Sequence, residues 1–496
     1  NTANGYSALH SNTTASQNTA LGNNALYTQS FNNSGTAWNS DNVAIGYNAL
    51  YYNQPTTTTN GYENTAIGDY ALQANTTGSL NTASGYDALY SNSTGIDNVA
   101  SGAFALLANT TGGSNTANGY EALHANTSGN YNTANGFQSL MFNTSGSNNL
   151  ADGSFSMWHN TTGHDNTSVG YYSLFNNNTA SQNTAIGNGA LSTQSYNNSG
   201  TAWNSENVAV GYNALYTNQP TSVSNGNQNT AIGNNTLYLN TIGNVNTAIG
   251  YNALYSNTTG MQNSAMGYYA LLANNTGWGN AAVGYNALTN NTSGYLNTAI
   301  GQWALSTNTT GYDNTAVGYL ADVSGSGLTN ATAIGNGATA TASNQVRIGN
   351  GSVSGLFFGT ASNLSTTASA ANMFYNTSTG EIQRSTSSKR YKKDIVNLEI
   401  NTSKIYDLRP VSFTAISDNT RHFGLIAEEV ADIIPELVEW AREKDVIKGS
   451  TSEKLIPDAI QYPILSVLLL KEVQKQHAII EDLQKQINEL KAMIKK

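Results

Sequence analysis

The sequence predicts a mainly β chain, in which an elongated β-solenoid shaft is followed by a smaller charged domain that closes on a coiled-coil helix. Three observations carry this. A seventeen-residue unit centred on Asn-Thr-Ala-x-Gly-Tyr-x-Ala-Leu recurs from the start of the chain to Gly335. Charge is nearly absent up to Arg384 and dense beyond it. The final segment carries apolar residues in alternating steps of four and three.

Aligned on its glycine, the unit repeats nineteen times between Gly5 and Gly335. The step from glycine to glycine is constant, as from Gly85 to Gly102 to Gly119. The exceptions are two pairs of longer steps, Gly22 to Gly46 to Gly68 and Gly187 to Gly211 to Gly233. A long super-repeat results, in which Gln17 through Pro55 returns almost verbatim as Gln182 through Pro220. The basic unit is too short for two packed helices, and its small alternating residues, broken by Gly and Asn, suit two short strands per coil with turns between them. A single coil has too few large side chains to bury a core. Stability is therefore expected from stacking, with backbone hydrogen bonds along the axis and aligned Asn and Thr side chains forming ladders.

With the glycine as position zero, Ala at −2 and the glycine itself share a crowded face, and Leu at +4 (Leu9, Leu26, Leu50, Leu72, Leu89) is the apolar anchor. Position −1 changes character along the array. Leu21, Ile45 and Ile67 are apolar, Ser84, Ser101, Asn118, Asn135 and Asp152 are polar, and Val169 through Ile334 are apolar again. Two readings follow: a face shared between protomers with a wet middle, or a partly exposed face that drifts without consequence.

The stretch 1–384 holds two basic groups, Arg347 and Arg384, against twelve acids, whereas the chain from Ser385 to Lys496 is balanced, so the formal net charge of −10 belongs to residues 1–384. An acidic surface without basic stripes releases no counterions from phosphates, which argues against nucleic acid or an anionic membrane as partner. The chain has no cysteine, so disulfides and thiolate metal sites contribute nothing. No window of about 18 apolar residues marks a transmembrane segment. The chain opens in mid-repeat at Asn1 without a methionine or signal peptide, and an upstream segment holding any export signal, anchor or virion attachment region is expected.

Other candidate sites are few. Trp38 and Trp203 occupy equivalent insertions in the longer coils, where an indole either stacks on the face of a surface glycan or staples its own loop to the shaft. Asp41, Asp97, Asp165 and Asp313, each followed by Asn, lack the dense acidic spacing of calcium β-rolls and read as solvated loop acids. The histidines are scattered, with His10 and His124 both at +5, so no metal and no cofactor is expected. Sequons such as Asn12-Thr13-Thr14 are more simply explained as Asn ladders.

The Asn-Thr-Ala-Ile-Gly motif, and above all Ala331-Thr332-Ala333-Ile334-Gly335 with Asn344-Gln345-Val346-Arg347-Ile348-Gly349, resembles the left-handed β-roll heads and necks of trimeric autotransporter adhesins. Only the last step, from Gly335 to Gly349, has the shorter spacing of that family. Trimerisation is implied by this resemblance and not by the periodicity.

From Met373 onward the chain resembles the intramolecular chaperone domain of phage tail spikes and fibres, the peptidase S74 family, which also ends long bacterial surface proteins. The blocks are Ser387-Ser388-Lys389-Arg390-Tyr391-Lys392, Leu408-Arg409-Pro410-Val411-Ser412-Phe413, Phe423 through Val430, and Pro435-Glu436-Leu437-Val438. The resemblance implies an α+β domain that trimerises, helps the upstream fibre fold in register, and then cuts itself off with a serine and a lysine. Carried over, these are Ser387 and Lys392; the pattern often has Asp after the serine, where this chain has Ser388. A serine hydroxyl needs a base, and lysine serves once desolvation or neighbouring positive charge lowers its pKa; Lys389, Arg390 and Lys393 are at hand. The bland reading is a solvated basic linker in a domain that no longer cleaves.

In the final helix Val473, Ile480, Ile487 and Ile494 take one heptad position and Leu469, Gln476, Leu483 and Leu490 the other. Ile with Leu in this order leans toward two strands, the resemblance toward three, and Ile464 to Leu470 is expected to pack on the domain. The expected organisation is a repeat shaft at 1–335, a neck at 336–384, the chaperone domain at 385–463 and the coiled-coil helix at 464–496. The leading expectation is an extracellular or cell-surface homotrimeric structural or adhesive fibre. The alternatives are a phage tail fibre receptor-binding protein on a virion tail and a polysaccharide-degrading enzyme, which would need convergent carboxylates that the dispersed acids of the shaft do not offer.

Overall fold

The computed structural model describes residues 1–353, the backbone of 373–376 and 381–384, and residues 395–414, 421–446 and 451–494. The chain divides into two compact units, Asn1–Phe357 and Phe358–Lys496.

In the first unit each coil contributes one three-residue strand at positions −3 to −1. These strands pair in parallel and in register into a single sheet of twenty, from Thr2–Asn4 to Val346–Ile348. The pattern is therefore one strand per coil and not two. Among the described residues a second, two-residue strand forms only at Ala15–Ser16 with Trp38–Asn39, at Ala180–Ser181 with Trp203–Asn204, and at Asp322–Val323 with Thr339–Ala340. The reason lies in the backbone. Non-glycine residues at −5, +2 and +4 adopt left-handed φ, as in Asp97 (58°), Phe104 (60°) and Leu106 (51°), so the remainder of the coil turns too often to extend. Each costs on the order of 1 kcal/mol, a strain that stacking must offset in every coil.

Stacking does so on three kinds of contact. The interior is a column of Ala at −2, Ala at +3 and Leu at +4; Ala100, Ala105 and Leu106 are fully buried. Two buried asparagine ladders flank this column. In one, Asn109 Nδ2 donates to Asn92 Oδ1 of the preceding coil at 2.8 Å and to the Gly112 carbonyl at 2.9 Å. In the other, Asn98 donates both its backbone N–H and its Nδ2 to Asn81 Oδ1, each at 3.1 Å. Buried amides cost little only when every donor and acceptor is used, and the repeat uses them by passing each bond to the next coil. Aromatic columns run outside, such as Tyr216–Tyr238–Tyr255 with ring centroids 5.3 and 5.1 Å apart. Where Ser replaces the interior Ala, hydroxyls pair with one another, Ser168 with Ser156 at 2.8 Å and with Ser173 at 2.6 Å.

The glycine at position zero is required by space as well as by conformation. Gly153 has φ 135°, and an added Cβ would lie 2.6 Å from the Gly170 carbonyl oxygen. Position −1 points away from the interior in a single chain: Ile67 is 43% and Ile300 45% exposed, beside fully buried Ala66 and Ala299.

Among its described residues the second unit has three antiparallel strand pairs, Met373–Asn376 with Glu381–Arg384, Val411–Thr414 with Arg421–Gly424, and Val438–Arg442 with Leu455–Ile460. Its described residues also form helices α1 (Ala427–Ile433), α2 (Glu443–Val446) and α3 (Tyr462–Ile494), with 3-10 turns at Thr402–Asp407 and Pro435–Leu437. Its core is Val430, Ile434, Leu437, Val438 and Leu468, flanked by Ile400, Ile405, Leu408, Ile464 and Leu465. The start of α3 thus packs on the domain, as its sequence suggests.

Candidate functional site

Ser387 and Lys392 lie outside the described residues, as do Lys389, Arg390 and Lys393. The segment that holds them is bracketed in sequence by the hairpin ending at Arg384 and by the stretch beginning at Ile395.

Downstream, that stretch is gripped by one face of α3. The Thr402 hydroxyl donates to Glu472 Oε2 at 2.6 Å, and the Tyr406 hydroxyl donates to Glu472 Oε1 at 3.3 Å. Lys475 Nζ donates to Ser403 Oγ at 2.7 Å, and Lys471 Nζ to the Leu398 carbonyl. Glu472 is only 3% exposed although its helix is largely solvated. A carboxylate survives such burial only with donors around it. Hydrogen bonds from Thr402 and then Gln476 hold its pKa below the ordinary value, against the opposing effect of burial.

A second carboxylate ties α1 to the Leu-Arg-Pro block. Arg409 forks onto Glu429, with Nε to Oε2 at 3.0 Å and the second nitrogen on Oε1, and this lowers the Glu429 pKa. The Lys404 ammonium donates to the Ile433 carbonyl at 2.9 Å. Tyr462 at the head of α3 accepts the Leu425 backbone N–H at 3.0 Å, and its hydroxyl sits so close to Gly424 that a Cβ there would lie 2.5 Å away. The Phe-Gly-Leu block is therefore read by the first residue of the helix.

Among the described residues, the apolar heptad positions of α3 beyond the domain core are exposed. Leu469, Val473, Ile480, Leu483, Ile487, Leu490 and Ile494 are between 44% and 81% exposed. Gln476, which interrupts this stripe, donates Nε2 to Glu472 Oε1 at 2.9 Å.

In the solenoid, Trp38 and Trp203 are each 6% exposed and pack edge-on against Phe31 and Tyr196 at 5.9 and 5.8 Å. The rings lie against their own loops, which is the stapling arrangement of the two that the sequence offers and leaves the indole faces little room to stack on a glycan. Asp41, Asp97, Asp165 and Asp313 all occupy position −5 with φ between 49° and 58°. Short polar side chains tolerate that conformation best, which accounts for their recurrence there. Among the described residues no group of three or more His, Asp or Glu side chains is placed to hold a metal, and no helix is long and apolar enough to cross a membrane.

Sequence reasoning missed Glu472, Thr402 and Tyr406. Glu472 sits among the polar heptad residues of an amphipathic helix, where a carboxylate normally faces water, and nothing in its spacing marks it as buried.

No curated protein matches the chain. Residues 387–439 match the peptidase S74 family, the chaperone of endosialidase. The match begins at Ser387 and takes in the Arg409–Glu429 fork, the Val411–Gly424 hairpin, α1 and the first core residues. The chain carries a C-terminal peptidase S74 domain of the chaperone-of-endosialidase type, preceded by a long β-solenoid.

Proposed function

We propose that this chain is a homotrimeric fibre protein of the phage tail type, in which the S74 domain assembles three solenoids in register and then cuts itself off near Ser387. The observation that carries this reading is the S74 match at 387–439, which follows twenty coils of nearly identical structure further up the chain. Identical coils pair almost as well one step out of register, so three chains need an alignment signal outside the array. The exposed heptad stripe of α3 supports association as that signal. The S74 kinship favours a tail fibre over a bacterial surface adhesin, and receptor binding at the cell surface is the role such a fibre would serve.

In the cleavage step the neutral amine of Lys392 takes the proton of Ser387 Oγ, and the oxygen adds to the carbonyl carbon of an adjacent peptide bond. That C–N bond breaks as the amine leaves with a proton returned from Lys392, forming an ester. Water then hydrolyses the ester, so one peptide bond and one water are consumed and the serine hydroxyl is restored. A lysine exposed in a monomer stays protonated, and packing of three chains desolvates it, which places cleavage after assembly.

The test is Ser387→Ala in the full chain, followed on a denaturing gel and by mass spectrometry. Wild type is expected to give a product with a terminus beside Ser387, and the variant an intact chain of the same oligomeric size. Unchanged processing in the variant would overturn self-cleavage by Ser387.

A further inference from the structure

The backbone of the array repeats almost without change, but its outward face does not. Each strand turns two side chains away from the interior, at −3 and −1, on either side of the buried residue at −2. Position −3 is threonine in most coils. Position −1 forms a row that the parallel register stacks strand on strand, Ile249 on Met266 and Ile300 on Val317. From Val169 to Ile348 this row is aliphatic or methionine at every strand, and Ile186, Ile249, Ile300 and Ile334 remain between 38% and 45% exposed. It runs about 48 Å at the usual strand spacing. An apolar band of that length left to water marks a surface made to be covered.

The same row identifies its partner. Asp152 is its single charge and position −3 carries none, so the face offers no ion pair to a charged ligand. Matching it takes an apolar surface with the same rise per step and the same length, and another copy of the array has both. The row is also patterned: Leu21, Ile45 and Ile67 precede a polar window from Ser84 to Asp152, and the long apolar run follows. In copies packed side by side and level, each segment meets its own kind. A slip of one coil sets Ile67 of one chain against the partner's Ser84 and Asp152 against the partner's Val169, and further slips add more such pairs. Serine, asparagine or aspartate buried against an aliphatic side chain loses hydrogen bonds to water without replacing them. Val99 and Leu150 at −3 are the aliphatic residues on the outward face of the window, and they leave the contrast at −1 intact.

We propose that the −1 row from Val169 to Ile348 packs against the same row of a second copy of this chain, and that the polar window Ser84–Asp152 marks the register of that packing. This rests on the homotrimer reading above and deepens it. The C-terminal helices gather the chains, and the row then sets their coils level.

The chain has no cysteine, so introduced ones report contacts without background. Full-length Ile249→Cys chains are assembled, oxidised mildly in air and run on a non-reducing gel, beside Met261→Cys, which is exposed in the neighbouring turn but off the row. Disulfide-linked pairs are expected from Ile249→Cys and not from Met261→Cys. Register is read by co-assembling Ile249→Cys chains with Val283→Cys chains and mapping the disulfides by mass spectrometry. These positions stand two coils apart, too far to be joined unless the chains slip. Like-to-like disulfides are expected to dominate, with those joining 249 to 283 at least about tenfold rarer. Changing Ser84, Ser101, Asn118, Asn135 and Asp152 together to Ile erases the window, and is expected to raise the slipped product about tenfold at unchanged oligomer size. An oligomer in which Ile249→Cys links no better than Met261→Cys would overturn the packing. An unchanged slipped yield in the window variant would overturn the register role. A wild-type chain that sediments alone would instead remove the homotrimer reading, and this inference with it.

Discussion

Asn109 hands its side-chain amide to Asn92 one coil earlier at 2.8 Å, and in turn accepts the amide of Asn126 one coil later at 2.8 Å. Each residue is fully buried, so the ladder is a wire of amides inside protein and not a surface decoration. Replacing Asn109 with Ala removes the acceptor of one Asn126 Nδ2 N–H, whose amide keeps its bond to Gly129, leaves Asn92 Oδ1 without its Asn109 donor, and takes away one of the two amides that donate to the Gly112 carbonyl. At about 1–3 kcal/mol for each buried group left unpaired, the expected loss is several times that of a surface change. Denaturant unfolding of the full chain by far-ultraviolet circular dichroism checks it; a midpoint within error of wild type would mean the ladder contributes nothing net.

Gly153 meets a harder limit. Its φ of 135° lies where L side chains rarely go, and a Cβ would strike the Gly170 carbonyl 2.6 Å away, a backbone atom that cannot yield without breaking the parallel pairing of Leu150–Asp152 with Thr167–Val169. Gly153→Ala is expected to cost about 3 kcal/mol or more and to open a protease-sensitive site between these two coils. Limited proteolysis with product mapping reads it directly, and a cut elsewhere in the array would show that strain spreads along the stack.

The array was legible because repetition exposes spacing: the Leu anchor at +4, the crowded glycine and the asparagine ladders all follow from aligned positions. The count of strands per coil was not. It depends on left-handed backbone at residues such as Leu106 and Phe104, types that carry no signal for it, and the conformation is imposed by the stack. Trp38 and Trp203 were ambiguous because a loop tryptophan looks the same in sequence whether it faces out or folds back under. In the C-terminal unit the motif blocks marked the domain. The Glu472 node escaped because Thr402 and Glu472 are far apart in the chain and joined only through the fold.

The depressed pKa of Glu472 has a signed consequence. Its folded value lies below the ordinary 4.5 because Thr402 and Gln476 donate to the charged form, so the unfolded chain binds the proton more readily. The stability it contributes is present above the ordinary value and is lost as pH falls through the depressed folded value. Tyr406, whose own pKa is raised chiefly by burial, and the Lys475 ammonium also face the carboxylate. Unfolding midpoints of the C-terminal unit, followed by Trp440 fluorescence, are expected to fall on acidification below about pH 4.5 in wild type and to fall less in Glu472→Gln. Equal slopes would show that the carboxylate is not the group being titrated.

The stripe on α3 sets the final expectation, because its residues separate association from folding. Leu468 is fully buried in the domain core, while Ile480 and Ile487 are 60% and 44% exposed and stand outside that core among the described residues. In an associated state each buries an isoleucine surface worth about 1.5–3 kcal/mol per chain, so three chains lose that amount threefold at each layer. Changing Ile480 and Ile487 together to Asp adds like charges at the same layers. The variant is expected to sediment as a single chain at concentrations where wild type is oligomeric, with the Trp440 environment and the domain's own unfolding midpoint unchanged. Gln476→Leu is expected to act in the opposite sense and lower the dissociation concentration. Sedimentation velocity over a dilution series measures both, and an oligomer that survives the double Asp change would place the association surface elsewhere, either on the exposed −1 face of the solenoid or on the hairpins of the domain.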